Sequence, residues 1–381
     1  MGRRSPAGTG ASVSASVRDH VNTLRARLIA SARFNRWARR LPVLRGIARR
    51  NGQDVFDLMS GFVYSQVLSA CVELDLLAAV AEAPRAVDDL AAATGVSPAR
   101  METLCNAAAA LEILTLRQGG RYGLGRLGAP VLSVPGLAVM IRHHALLFRD
   151  LADPVALLRG ETDTELAAFW PYVGGGKSPD APTAAAYSDV MAASQALVAE
   201  ETLRALDLRG IRSVMDLGGG DGSFLIRLAQ RWPDCDLRLF DLPEVAARAA
   251  QRFEREGVAA TAIGGSFDDA ALPKGAEAIT LVRVLYDHDD DRVERILALA
   301  FEALAPGGKI VISEPMAGGR HPSRAGDAYF GFYTMAMTTG RPRSVEAHME
   351  MLKSAGFTGL RASQGTWPFV TSVVTAIKSD I

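Results

Sequence analysis

The chain has 381 residues, 49% of them hydrophobic and 22% charged, which is the balance of a folded protein with room for two domains. The three cysteines, Cys71, Cys105 and Cys235, are far apart and lack metal-ligand spacing, so they read as buried free thiols of an intracellular protein, with no metal site expected. No uninterrupted apolar run reaches about 18 residues, so no membrane span is expected, and the N-terminus lacks the apolar core of a signal peptide.

The formal net charge of +0 hides an asymmetry. Residues 1–50 carry twelve arginines against Asp19 alone, a net +11 that the remainder balances with −11. The first 17 residues are rich in Gly, Ser and Ala and read as disordered. From Arg18 to Arg50 the arginines interleave with Leu24, Leu28, Ile29, Phe34, Trp37 and Leu41. Such a basic amphipathic leader suits an anionic membrane surface. Packing on the acidic remainder of the chain is an equal reading, and nucleic acid a weaker third.

From Val55 the spacing turns helical, with Phe56, Met59, Phe62, Val63, Val67, Leu74 and Leu77 on one face; Gly61 does not break it. One or two helices are expected here, buried against something large such as a partner subunit. Residues 86–95, then Ser97-Pro98 and a helix to Leu114, read as helix–turn–helix with Ser97 at the N-cap. Residues 116–124 read as a two-stranded wing around Gly119-Gly120. The second helix is Ala-rich, offers only Arg100 and Asn106 to bases, and carries Glu102 and Glu112, which repel phosphate. Nucleic acid is therefore not the expected partner. Residues 137–170 read as a helical connector containing His143, His144, Phe148, Phe169 and Trp170. Gly174 to Ser178 is a loop without the preceding strand of a phosphate site, and 187–206 a helix.

Val214 to Leu217 reads as a buried strand that breaks into Gly218, Gly219, Gly220 and Gly222 before helical spacing resumes at Phe224. Glycines there let a ligand approach bare backbone, and the helix start offers free N–H groups. The spacing is G-x-G-x-G; a dinucleotide fingerprint needs glycine where Ser223 stands, which disfavours a nicotinamide oxidoreductase. A second strand ends at Asp241, about 20 residues on, where an acid can bind ribose hydroxyls. A strand over 279–285, a helix over 292–304 and a strand over 309–313 follow. The alternation predicts a mostly parallel sheet with ligands at its carboxyl edge.

In combination, Asp216-x-Gly218-x-Gly220-x-Gly222, Phe240-Asp241-Leu242-Pro243, Gly264-Gly265, Arg283 to Asp287 and Pro306-Gly307-Gly308-Lys309 resemble the two-domain S-adenosylmethionine-dependent O-methyltransferases. The resemblance covers roughly residues 55 to 380. It implies an α/β fold: a doubly wound, Rossmann-like methyltransferase sheet over 206–381, and an all-helical and winged-helix dimerisation domain with a substrate connector over 51–205. It also implies a homodimer. S-adenosyl-L-methionine is the implied cofactor, its methionine end at Asp216 and Gly218 to Gly222, its ribose on Asp241, its adenine beside Leu242 and Phe267, and Arg283 near by. Ser266 stands where the family has an acid near adenine.

Related plant enzymes carry His-Asp-Trp where this chain has Tyr286-Asp287-His288, while Glu314 and Glu346 fall where those enzymes orient the histidine. A phenol is a weak base at neutral pH, so Tyr286 is expected to position the acceptor hydroxyl. His288, sharing a face with Tyr286 if the strand continues, or His348 takes the proton; water is the alternative. The family's acceptor pocket falls on His143, His144, Phe148, Asp327, Phe330, Tyr333 and Met337, a Met and aromatic stretch that suits a long apolar molecule. Arg33 to Trp37, Phe56 to Gln66, Arg283 to His288 and Ser313 to Met316 resemble the carotenoid hydroxyl O-methyltransferases of purple bacteria. This implies a 1-hydroxy acyclic carotenoid acceptor and a cytoplasmic enzyme peripheral to the inner membrane. A bacteriochlorophyll-ring or phenolic acceptor, or a winged-helix regulator with an inactive cofactor domain, are the alternatives.

Overall fold

The computed structural model describes residues 20–24, 26–31, 33–34, 42–169, 195–268, 271–367 and 370–379. The chain divides into two compact units, Met1–Ala70 and Cys71–Ile381. Trp37 and the 174–178 loop lie outside the described residues, as does the start of the helix expected from 187.

In the first unit the main element is a helix over Pro42–Glu73, whose last turn belongs to the second unit. Val55, Phe56, Leu58, Met59, Phe62 and Val63 on it are all exposed, Leu58 at 85%. This corrects the expectation that no segment is apolar enough to span a bilayer. By length and composition Arg45–Glu73 is long and apolar enough, with 11% of its most apolar window buried. Ser60, Gly61, Ser65 and Gln66 interrupt its apolar run without adding charge, so a count of uninterrupted residues misses it.

The second unit begins with β1 (Arg85–Ala86), helices over Val87–Thr94 and Pro98–Ala110, and the hairpin β2 (Leu114–Arg117) and β3 (Arg121–Leu124). The three strands form an antiparallel sheet in the order β1-β3-β2. Ser97 has the extended N-cap backbone, and Pro98 opens the helix, but the Ser97 side chain makes no capping bond. Asn106 accepts from the Tyr122 hydroxyl at 2.6 Å, which ties the helix to the hairpin. The connector is three helices, Leu137–Asp150, Pro154–Arg159 and Glu165–Phe169. Asp150 accepts from the backbone N–H of Glu165 and Leu166 at 2.7 and 3.0 Å and so docks the third helix on the first.

A seven-stranded sheet follows: β4 (Ser213–Leu217), β5 (Asp236–Asp241), β6 (Ala260–Gly264), β7 (Ala276–Val282), β8 (Leu304–Glu314), β9 (Phe357–Gln364) and β10 (Ser372–Lys378). The order is β6-β5-β4-β7-β8-β10-β9. Strands β4 to β8 pair in parallel, whereas β10 runs antiparallel to β8 and β9. Alternate residues face opposite sides. Met215, Leu217, Ile279, Leu281, Ile310 and Ile312 pack with the Asp290–Ala303 helix. Val214, Leu237, Leu239, Ala278 and Val311 pack with the helices over 195–205, Ser223–Arg231 and Pro243–Glu256. The chain runs outward from β4 to β5 and β6, then crosses back past β4 to β7 and β8 on its other side. The resulting switch point opens a crevice at the carboxyl ends.

Candidate active site

The carboxyl ends of β4, β5, β6 and β7 lead into residues that line that crevice. After β4 the chain turns through Gly218, Gly220 and Gly222 at φ 66°, 59° and 80°, left-handed backbone that favours glycine. A Cβ on Gly222 would lie 2.3 Å from Phe253, and one on Gly219 2.6 Å from Asp216 Oδ2. A Cβ on Gly220 would meet nothing within 4 Å. That glycine faces open cavity; the other two are forced by packing. At the end of β5, Asp241 Oδ2 accepts from Gly220 N–H at 2.8 Å and Oδ1 from Leu242 N–H at 2.7 Å. Burial pushes this carboxyl up, and the two N–H bonds oppose the shift.

The cavity is lined by Gly218, Gly220, Asp241, Leu242, Ser266 and Phe267. Arg283, Asp287 and His288 line it as well. Two expected members are not in its wall. Asp216 is buried at 1% exposure and accepts from the Thr280 hydroxyl at 2.5 Å, so it braces β4 against β7. Gly222 packs on Phe253 beneath the turn. Gln195, Arg248 and Arg292 line the cavity and were missed. Leu242, Val245 and Arg248 share one helix face, a signal that could have found Arg248; Gln195 arrives through tertiary packing alone.

Strand β7 ends at Val282 and does not run on through Tyr286. Arg283 has φ 57°, and Leu285–Asp287 is a 3-10 turn. Tyr286 and His288 therefore do not share a strand face, contrary to expectation. The charges acting on His288 are Arg292, Asp289, Arg343 and Asp268, and burial lowers its pKa to about 4. It lines the same cavity as Ser266 and Arg292. Asp287 is instead influenced by Arg283 and Tyr286; burial raises it to about 7, and its Oδ1 has no hydrogen-bond partner among the described residues. Tyr286 is buried, and burial raises its phenol pKa. Glu314 is fully buried and raised to about 8 by burial. Its Oε1 accepts from the N–H groups of Val284 and Leu285, so it braces the turn's backbone rather than a histidine.

Three other expected residues are displaced from the cavity. His348 is buried elsewhere, lowered to about 3 by burial and then by Arg343 and Arg341. Glu346 is exposed, its Oε2 beside Gly319. Asp327 Oδ2 accepts from Gly318 N–H, Ser323 N–H and the Ser323 hydroxyl, which closes the 318–327 loop. Counting on from Tyr286 points to Glu346, and adjacency to the Tyr329–Met337 stretch points to Asp327; neither lines the cavity.

The remaining pocket candidates form one cluster. His143 Nε2 is 2.8 Å from the Tyr333 hydroxyl, and His144 Nε2 is 2.5 Å from that of Tyr329. His143 is lowered to about 4 by burial, then by His144. Phe148 lies 6.4 Å, ring to ring, from His144, and Met337 packs with Tyr333, Leu147 and Leu166. Phe330 stands edge-on to Tyr286 at 6.4 Å and joins this aromatic cluster to the turn. Among the described residues no group of His, Cys, Asp or Glu could hold a metal ion.

Residues 148–358 match the O-methyltransferase domain and residues 56–133 the O-methyltransferase dimerisation domain. The chain is 50% identical over 361 residues to a demethylspheroidene O-methyltransferase of Cereibacter sphaeroides, covering 94% of this chain and 95% of that one. It is 49% identical to the enzyme of the same name from Rhodobacter capsulatus, over 92% and 88% of the two chains. Human N-acetylserotonin methyltransferase, solved in complex with S-adenosylmethionine, superposes with a TM-score of 0.71 at 25% identity, over 86% of this chain and 98% of that one. With a matching domain across more than half its length and relatives alike from end to end, the chain belongs to the S-adenosylmethionine-dependent O-methyltransferases.

Proposed function

We propose that this enzyme methylates a hydroxyl of a long apolar acceptor, a 1-hydroxy acyclic carotenoid of the demethylspheroidene type. The observation that carries the acceptor is the near-complete alignment with the two demethylspheroidene enzymes at about half identity. The aromatic cluster bearing on Tyr286 through Phe330 supports it, because a polyene needs a long apolar wall. Mass spectrometry of hydroxylated carotenoids incubated with enzyme and donor tests it: a gain of one methylene is expected, and none would refute it.

The cavity suits the donor. Gly220 leaves bare backbone against it, Asp241 presents a carboxylate edge, and the buried Nε of Arg292 is a donor with no partner among the described residues. We assign the amino-acid end to Gly218 to Gly220, the ribose to Asp241, and the adenine to Leu242, Ser266 and Phe267, with His288 and Arg292 beside them. When bound, the sulfonium supplies an electrophilic methyl group whose leaving group is a neutral thioether. Holding the reactants in line is then the main task, worth on the order of 7–11 kcal/mol. Tyr286 stays protonated and orients the acceptor hydroxyl. Asp287, titrating near neutrality at the cavity wall, takes the proton in place of His288 or His348. Calorimetry with Asp241→Ala tests the donor site; unchanged affinity would count against it.

The dimerisation domain makes the enzyme a homodimer, and we assign the exposed Val55 to Val63 face to that contact. The leader we assign to an anionic membrane surface. Val21, Leu24 and Leu28, spaced i, i+3 and i+7, are exposed within the helical residues 20–24 and 26–30, the latter also carrying Arg27.

A further inference from the structure

The Leu285–Asp287 turn is gripped at both ends. Glu314 accepts from the N–H groups of Val284 and Leu285 at 2.9 and 2.8 Å. On the opposite side stands Arg343, 1% exposed. Its Nη1 donates to the Leu285 carbonyl at 2.8 Å and its Nη2 to the His288 carbonyl at 2.7 Å. Its Nε and Nη2 reach Asp290 Oδ1 at 2.9 and 2.6 Å. One planar guanidinium thus joins the first residue of the turn, the residue after it and the head of the next helix. The same loop also fits the turn through Gly340 at φ 70°, where a Cβ would lie 2.0 Å from the Tyr286 carbonyl oxygen.

Packing does not account for this residue. An apolar side chain would fill the space without removing a cation from water, whereas a buried guanidinium is tolerated only when its donors are paired. Lysine could not replace it, because a single ammonium cannot span two carbonyls and a carboxylate as a rigid fork does. Val284, at the N-cap of the turn, makes no side-chain capping bond of its own. What Arg343 fixes is the backbone that aims Tyr286 and Asp287.

We propose that Arg343 is a positioning residue of the methyl transfer, clamping the turn so that Tyr286 and Asp287 keep their aim at the acceptor hydroxyl. This rests on the roles given above to Tyr286 and Asp287. The test compares Arg343→Lys with the native enzyme by steady-state kinetics, by calorimetry with S-adenosylhomocysteine and by the pH profile of kcat. Misplacement of this kind costs roughly a hundredfold in kcat, with product affinity held within about twofold and binding still near one per chain. The rising limb of the pH profile should also move, since Asp287 loses its fixed surroundings. A fall in kcat no larger than the fall in binding stoichiometry, with the pH profile unmoved, would make Arg343 merely structural and overturn the proposal.

Should Arg343→Lys fail to fold, Asp290→Asn loosens the same guanidinium while leaving its carbonyl contacts. Lower kcat with intact product binding supports the clamp; unchanged kcat overturns it. If Tyr286→Phe and Asp287→Asn both turn over normally, the assignment of the turn is at fault rather than the clamp alone.

Discussion

The Arg283 guanidinium donates to the Tyr286 hydroxyl oxygen across 3.1 Å, from a backbone held at φ 57°. A left-handed non-glycine residue costs on the order of 1–3 kcal/mol and persists only where its surroundings insist on it. Here Arg283 N–H also bonds the Ser313 carbonyl at 2.9 Å, so the strand end is fixed while the side chain turns toward the phenol. Burial raises the phenol pKa against the pull of Arg283, which keeps Tyr286 neutral and able to hold a hydroxyl. Tyr286→Phe keeps the ring against Phe330 and removes the hydroxyl alone. We expect kcat to fall about three- to tenfold, the worth of one neutral hydrogen bond, with donor affinity unchanged. Equal turnover would remove Tyr286 from the mechanism.

Two glycines of one turn should fail in different ways. Gly222→Ala adds a Cβ 2.3 Å from the Phe253 ring, at φ 80°. Overpacking of this kind costs about 1–3 kcal/mol, so the melting temperature should drop. Gly220→Ala, at φ 59° with nothing within 4 Å, carries the backbone penalty but no clash. Its methyl projects where the donor is assigned, so donor affinity should suffer more than stability. Calorimetry and thermal melts on both variants separate the two effects, and a reversed pattern would place the donor elsewhere.

The glycine turn and Asp241 were legible in the sequence because strand, turn and acid follow one another locally. The Tyr286 turn was not. A single left-handed residue, Arg283, redirects the chain, and no side-chain pattern announces it. Arg343 was invisible for another reason: its partners at Leu285 and His288 lie 58 and 55 residues earlier, and only the folded loop brings them together. The antiparallel pair β9 and β10 has no counterpart in the sequence reading, which names no strand after 309–313.

Twelve arginines among the first 50 residues, with Leu24 and Leu28 exposed beside Arg27, set up a third measurable consequence. The enzyme should sediment with vesicles containing anionic lipid and not with purely zwitterionic ones. Charge attraction fades over a Debye length of about 8 Å at physiological salt, so raising the salt should release it. Leu24→Ser with Leu28→Ser should weaken binding while leaving donor affinity intact. Failure to sediment with anionic vesicles would assign the leader to the protein's own acidic surface, and binding indifferent to lipid charge and salt would refute the electrostatic attraction.

Stability and activity should move in opposite directions near neutral pH. Burial raises Asp216 and Asp287 to about 7 and Glu314 to about 8. Folded pKa values above the unfolded ones mean that the folded chain keeps protons the unfolded chain has lost. The stability these acids contribute is present at low pH and disappears as pH rises through 7 to 8. Buried His143 and His288, lowered to about 4, and His348, lowered to about 3, act the other way: their contribution is present above 6.5 and lost as pH falls through 4 to 3. Below 6.5 the two sets oppose each other, but above it only the acids still titrate. The melting temperature should therefore fall between about pH 6.5 and 8. Over the same interval Asp287 ionises and kcat should rise. Asp287→Asn should remove the rise in kcat and lessen the fall in melting temperature. If the variant keeps the native pH profile of kcat, the proton leaves by another route.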